Sequence, residues 1–110
     1  MLLVLLPALL GAADRKTVPW EKSRLAVGQA LYRENCIVCH DIEKPKEQSK
    51  KFGPSLQHLF KNERLPLSRG KPNRPYVITR IKFGGALMPA FGKKLSDAEI
   101  AILLDYIESK

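Results

Sequence analysis

The sequence predicts an all-α domain, and three observations carry that prediction. A capping box followed by an apolar stripe marks a helix near the C-terminus. Two earlier segments place apolar residues at helical spacing, and no apolar–polar alternation runs longer than a few residues. At 110 residues the chain holds one small domain, which excludes most multi-domain enzymes. Hydrophobic residues at 45% allow a packed core and argue against disorder of the whole chain. Aromatics are only 7%, however, so three short helices with long loops bury little surface by themselves. Something besides side chains is expected to fill the middle.

Leu2–Leu10 is almost unbroken apolar sequence, followed by Gly11, Ala12 and Ala13 before charges begin at Asp14. This reads as a secretory signal peptide over residues 1–13, with cleavage after Ala13 and a single domain over 14–110. The run is well short of the roughly 18 residues that suggest a membrane span. No Lys or Arg precedes it, which departs from the usual positive n-region. The expected location is the periplasm.

The first helix is expected from about Lys22 to Asn35, with Val27, Ala30, Leu31 and Tyr32 on its buried side. Gly28 shares that face. Glycine costs a helix interior about 1 kcal/mol relative to alanine, so a second helix crossing closely there would explain it. Asp41–Phe52 is polar and Lys-rich and reads as a solvated loop ending at Gly53-Pro54. Ser55–Phe60 suits a short helical turn, and Asn62–Asn73 is again loop. A second helix fits Pro75–Phe83, with Val77, Ile78 and Ile81 at helical spacing and Gly84 as its cap. The last helix opens with Ser96-Asp97-Ala98-Glu99, a capping box, and Leu95 can staple against Ile100. Ile100, Leu103, Leu104 and Ile107 form its apolar face, with Tyr106 beside it.

Cys36-Ile37-Val38-Cys39-His40 is C-x-x-C-H, the spacing of c-type haem attachment. Two thiols within one turn reach the two vinyl groups of a porphyrin, and the following imidazole coordinates the iron. Three other readings carry less weight. A thioredoxin-like redox pair needs a βαβ context, and a zinc site needs four ligands where only His58 remains as a usual one. A chance disulfide gives way to haem in a chain that looks exported, where c-type haem is attached. The chain contains two Cys, and the motif uses both.

A sixth ligand is expected from Met88, the one methionine besides Met1, in Gly84-Gly85-Ala86-Leu87-Met88-Pro89-Ala90-Phe91-Gly92. A thioether opposite histidine raises the reduction potential. The alternatives are a Met88 that merely fills a core gap, His58 as the ligand, or a loop lysine.

With these residues in place the sequence resembles the class I cytochromes c. Gly28-x-x-x-Tyr32-x-x-x-Cys36, Gly53-Pro54-Ser55-Leu56, Met88-Pro89-Ala90-Phe91, Leu95-Ser96-Asp97 and Leu104-x-Tyr106-Ile107 carry the likeness over nearly all of residues 14–110. The resemblance implies a cytochrome c fold, three main helices and long loops wrapped around one covalent haem c. It implies thioethers at Cys36 and Cys39, and iron ligation by His40 and Met88. It also implies a hydrogen bond from His40 Nδ1–H to the Pro54 carbonyl, and packing of Gly28 and Tyr32 on Leu103 and Tyr106. The implied function is one-electron transfer rather than enzymatic catalysis, as a free shuttle or as a fixed haem subunit of a dehydrogenase or oxidase complex. A peroxidase would need an open sixth position. The mitochondrial members' propionate-binding tryptophan has no counterpart, since Trp20 stands before the first helix; Tyr76, Arg64, Arg74 and His58 are candidates for that role.

Lys+Arg is 19 against 11 acidic residues, a net charge of +8. Lys44, Lys46, Lys50, Lys51, Lys71, Lys82, Lys93 and Lys94 lie in or beside the loops and can steer a redox protein with an acidic face onto the haem edge. Export and haem argue against nucleic acid as the partner. A monomer without a membrane span after cleavage is expected.

Overall fold

A computed structural model describes residues 19–65 and 69–110. The expected signal peptide and its cleavage site lie outside the described residues. In chain order come helix α1 (Pro19–Asn35), a 3-10 turn (Leu59–Lys61), helix α2 (Arg74–Phe83) and helix α3 (Asp97–Glu108), with no strand among the described residues. This is the all-α architecture expected, with long loops before and after the 3-10 turn.

Helix α1 begins at Pro19, three residues before the sequence suggests, because proline is tolerated in a first turn. Trp20 therefore belongs to the helix rather than preceding it. Its buried residues are Gly28, Leu31 and Tyr32, which share one face at i, i+3 and i+4. Val27 and Ala30 were expected there too but are exposed, because each sits one position off that stripe.

Gly28 sets the crossing of α1 and α3. A Cβ at this position would lie 2.5 Å from the Tyr106 Cβ and 2.8 Å from the Ile102 carbonyl oxygen. The rings of Tyr32 and Tyr106 meet beside the crossing, 5.9 Å between centroids and tilted by 44°. Ile100, Leu103 and Leu104 of α3 are almost fully buried and anchor the core.

The helix ends follow local chemistry. At α3, Ser96 Oγ accepts from the Glu99 N–H at 3.1 Å and Glu99 Oε1 accepts from the Ser96 N–H at 3.0 Å, completing the capping box. Leu95 and Ile100 are both buried in the core cluster, as a staple requires. At α2, Asn73 Oδ1 accepts from the Tyr76 N–H at 2.9 Å, and Gly84 ends the helix at φ 69°, a region that favours glycine. Val77 and Ile81 are buried and Ile78 is half-buried. The turn expected over Ser55–Phe60 forms slightly later, at Leu59–Lys61, after His58 in a left-handed conformation at φ 56°.

One carboxylate ties all three helices. Asp105 of α3 pairs with Arg24 of α1 and, at 3.1 Å, with Arg74 of α2; Arg74 also pairs with Glu108 at 2.9 Å. Partial desolvation pushes the Asp105 carboxyl up, but the hydrogen bonds from Arg24 and Arg74 outweigh it and hold the group below its ordinary range. Among the described residues, no helix is long and apolar enough to cross a membrane.

Candidate functional site

The C-x-x-C-H motif winds directly off the end of α1. Cys36 N–H donates to the Tyr32 carbonyl at 2.8 Å, and His40 N–H donates to the Cys36 carbonyl at 3.0 Å. The Tyr32 hydroxyl donates to the His40 carbonyl at 2.6 Å, so the buried face of the helix also holds the far end of the motif. Burial, with nearby Asp41 next in importance, pushes that hydroxyl up to about 12 and keeps it a donor at neutral pH.

Both thiols are free, and Cys36 is half-buried. Burial and then the neighbouring Cys39 push the Cys36 thiol up to about 11. A thioredoxin-like pair needs a βαβ context, and no strand exists among the described residues. No cluster of three or more His, Cys, Asp or Glu side chains exists among the described residues, so the zinc reading lacks ligands.

His40 is oriented from two sides. Its Nδ1 lies 2.7 Å from the Pro54 carbonyl oxygen, which can only accept. The proton therefore sits on Nδ1, and the lone pair of Nε2 is left for a metal. Gly53 packs on the ring itself: a Cβ there would stand 2.5 Å from Cε1 and 2.7 Å from Nδ1. The Gly53 N–H donates to the Cys39 carbonyl at 2.6 Å, tying this segment back to the motif.

The Lys-rich loop is braced onto the same turn. Lys51 Nζ donates to the Ile37 carbonyl and pairs with Asp41 at 3.3 Å, and Ser49 Oγ donates to Asp41 at 2.8 Å. The Ser49 hydrogen bond chiefly, with help from Lys51, lowers the Asp41 carboxyl below its usual range. Lys51 is thus part of the scaffold. Lys82 is paired as well, with Asp97 at 2.9 Å, whereas Lys44, Lys46, Lys50, Lys71, Lys93 and Lys94 are exposed.

Met88 rides on a loop closed by helix α2. A helix ends with carbonyls that lack intrahelical partners. Here the Arg80 carbonyl accepts from Gly84 N–H at 2.8 Å, that of Ile81 from Phe91 N–H at 2.9 Å, and that of Lys82 from Gly92 N–H at 3.0 Å. Inside the loop, Gly85 N–H donates to the Met88 carbonyl at 2.9 Å. Met88 is half-buried against the core. The rival ligand His58 is exposed on a separate cleft lined by Pro45, Lys46, Glu47, Gln57 and Asn62, none of them from the motif or the Met88 loop.

These residues suit a covalent porphyrin. Two unbonded thiols and an imidazole with Nε2 left for iron come from one turn, and a glycine lies where any side chain would displace the ring. Ile37 and Val38 in the motif, Phe52 just before Gly53, and Phe83 and Leu87 around the start of the Met88 loop expose large apolar side chains. Among the propionate candidates, Arg74 is committed to Asp105 and Glu108, Tyr76 accepts a hydrogen bond from Arg80, and Arg64 and His58 are exposed. The Tyr32 hydroxyl, the Asp41–Ser49–Lys51 brace and Arg80 escape the sequence reading, because each depends on partners brought in by the fold.

The family model described as cytochrome c oxidase, cbb3-type, subunit III matches residues 23–107. The chain is similar to cytochrome c6 of Diacronema lutheri, 29% identical over 86 residues that cover 78% of this chain and 95% of the relative.

Proposed function

The chain belongs to the cytochrome c family of the cbb3-type oxidase subunit III domain, a monohaem class I family, and on that premise we propose that His40 and Met88 are its two axial ligands. It is an electron-transfer protein with one covalently bound haem c, which supplies the one-electron Fe(III)/Fe(II) couple. Cys36 and Cys39 are its thioether attachment points. The observation that carries the ligand assignment is the Pro54 carbonyl 2.7 Å from His40 Nδ1, which leaves Nε2 as the coordinating nitrogen. Met88 would offer a soft thioether from a loop pinned by three carbonyls of α2. Ligands held by such hydrogen bonds would keep reorganisation small as the charge changes.

The working context is a respiratory or dehydrogenase chain, reached by export of the domain over residues 14–110 to the periplasm. The exposed lysines suit an acidic docking face on the redox partner, and the domain acts as a monomer. Similarity to a cytochrome c6 favours a free carrier; the family's description as an oxidase subunit favours a fixed haem subunit. Purification from native membranes and soluble extract separates the two, since a carrier emerges alone and a subunit with its complex.

Ligation is tested on the purified holoprotein by the weak sulfur-to-iron charge-transfer band of the oxidised state. Met88→Ala is expected to abolish the band and lower the potential, with His58→Ala silent. Survival of the band in Met88→Ala would overturn the assignment.

A further inference from the structure

Arg80 stands where helix α2 turns into the Met88 loop. Its Nη2 donates to the Tyr76 hydroxyl at 2.8 Å, and Cζ lies 5.5 Å from the centre of the Tyr76 ring. Nη1 reaches the Gly84 carbonyl at 3.5 Å, a long contact. Gly85 leaves the space this guanidinium uses, since a Cβ there would collide with Nη1. The same Gly85 holds the Met88 carbonyl through its N–H.

Arg80 differs from Arg24 and Arg74 in its partners among the described residues. Arg24 and Arg74 are neutralised by Asp105 and Glu108, and the lysines flanking this loop either pair, as Lys82 does, or point into water. Arg80 is half-buried and no acidic side chain pairs with it among the described residues. A cation held by a neutral hydroxyl and a carbonyl keeps its full charge, and partial burial spares it much of the screening that salt imposes on surface lysines.

We infer that Arg80 is a positioning residue and fixed positive charge of the redox centre, clamped by Tyr76 and Gly84 beside the axial loop, where it biases the haem toward the reduced state. Oxidation adds one positive charge to the iron, and a nearby fixed cation opposes that. The inference rests on the reading that this loop carries Met88 to the iron.

Potentiometric titration of the holoprotein tests it, with the charge-transfer band followed in the same samples. Arg80→Gln should shift the one-electron equilibrium toward the oxidised form by roughly three- to tenfold, the effect of one charge through a dielectric well above that of a dry interior. Tenfold corresponds to about 59 mV for one electron. Arg80→Lys should retain most of the wild-type potential, and Tyr76→Phe should fall between the two. A wild-type potential in Arg80→Gln, or an equal fall in Arg80→Lys and Arg80→Gln, would overturn the inference. Absence of the band from the wild-type protein would instead remove the Met88 assignment, and the contrast between Lys and Gln at position 80 would still decide the role of the charge.

Discussion

The imidazole of His40 rests on Gly53, so closely that a single added methyl group would meet both Cε1 and Nδ1, at 2.5 and 2.7 Å. The same Cβ would lie 2.8 Å from the Cys39 carbonyl, which is backbone and cannot swing away. Gly53→Ala must therefore tilt the ring or move the segment that carries Pro54. Overpacking of this kind costs about 1–3 kcal/mol. The expected outcome is a lower urea midpoint for the holoprotein and a poorer yield of attached haem, since the ring would lose its hydrogen bond to Pro54. A variant as stable and as fully loaded as wild type would show that the ring does not depend on this contact.

A second glycine makes a contrasting case. In an isolated helix Gly28→Ala would gain about 1 kcal/mol from propensity. Here the new Cβ would meet Tyr106 Cβ at 2.5 Å and the Ile102 carbonyl at 2.8 Å. Relief requires α1 and α3 to separate along their whole contact, loosening Tyr32 against Tyr106. Packing loss of about 1–3 kcal/mol should exceed the propensity gain. Thermal unfolding of Gly28→Ala should show a lower midpoint, and a higher midpoint would refute the close crossing.

The Asp105 network gives a prediction in pH. The carboxyl titrates lower when folded than its ordinary value of about 3.9 when unfolded. Its stabilisation is therefore full well above pH 4 and is lost as pH falls through the depressed folded value. Asp105→Asn should be less stable than wild type at pH 7, since Arg24 and Arg74 lose their shared partner. The gap should shrink as pH falls below about 4. Urea titrations of both holoproteins at pH 7 and in acid check this, and a gap that stays constant would mean the ion pairs contribute nothing that titrates.

Much of this fold was legible because its determinants are local. The capping box at Ser96, the glycine after α2 and the C-x-x-C-H turn each involve neighbours in sequence, and each forms as expected. The Gly28 crossing was legible for a different reason: a glycine inside a helix calls for a close neighbour. Hydrophobicity without phase misplaces Val27 and Ala30, which are apolar but off the buried stripe. Charge was the least legible property. Lys51 and Lys82 look like Lys93 and Lys94 in the sequence, yet the first two are paired with Asp41 and Asp97 across the fold. Arg80 owes its fixed place to Tyr76 and Gly85, partners that only the fold brings to it.

That division among the lysines sharpens the expectation for partner docking. Lys93 and Lys94 follow the Met88 loop directly, are exposed, and make no ion pair among the described residues. Attraction between such charges and an acidic partner speeds encounter, and salt screens it over a Debye length of about 8 Å at 0.15 M. Bimolecular electron transfer to the natural partner should slow as ionic strength rises, and Lys93→Glu/Lys94→Glu should flatten that dependence. Lys51→Glu is a different experiment, because it breaks the brace on Asp41 and Ile37 and should lower stability first. The double variant should leave the potential nearly unchanged, since charges held in water are well screened from the iron. Stopped-flow rates across a salt series, with the potential measured alongside, separate these effects. A rate that is flat or rises with salt in the wild-type protein would turn attention from the lysines to the exposed apolar side chains of Phe83 and Leu87 as the docking contact.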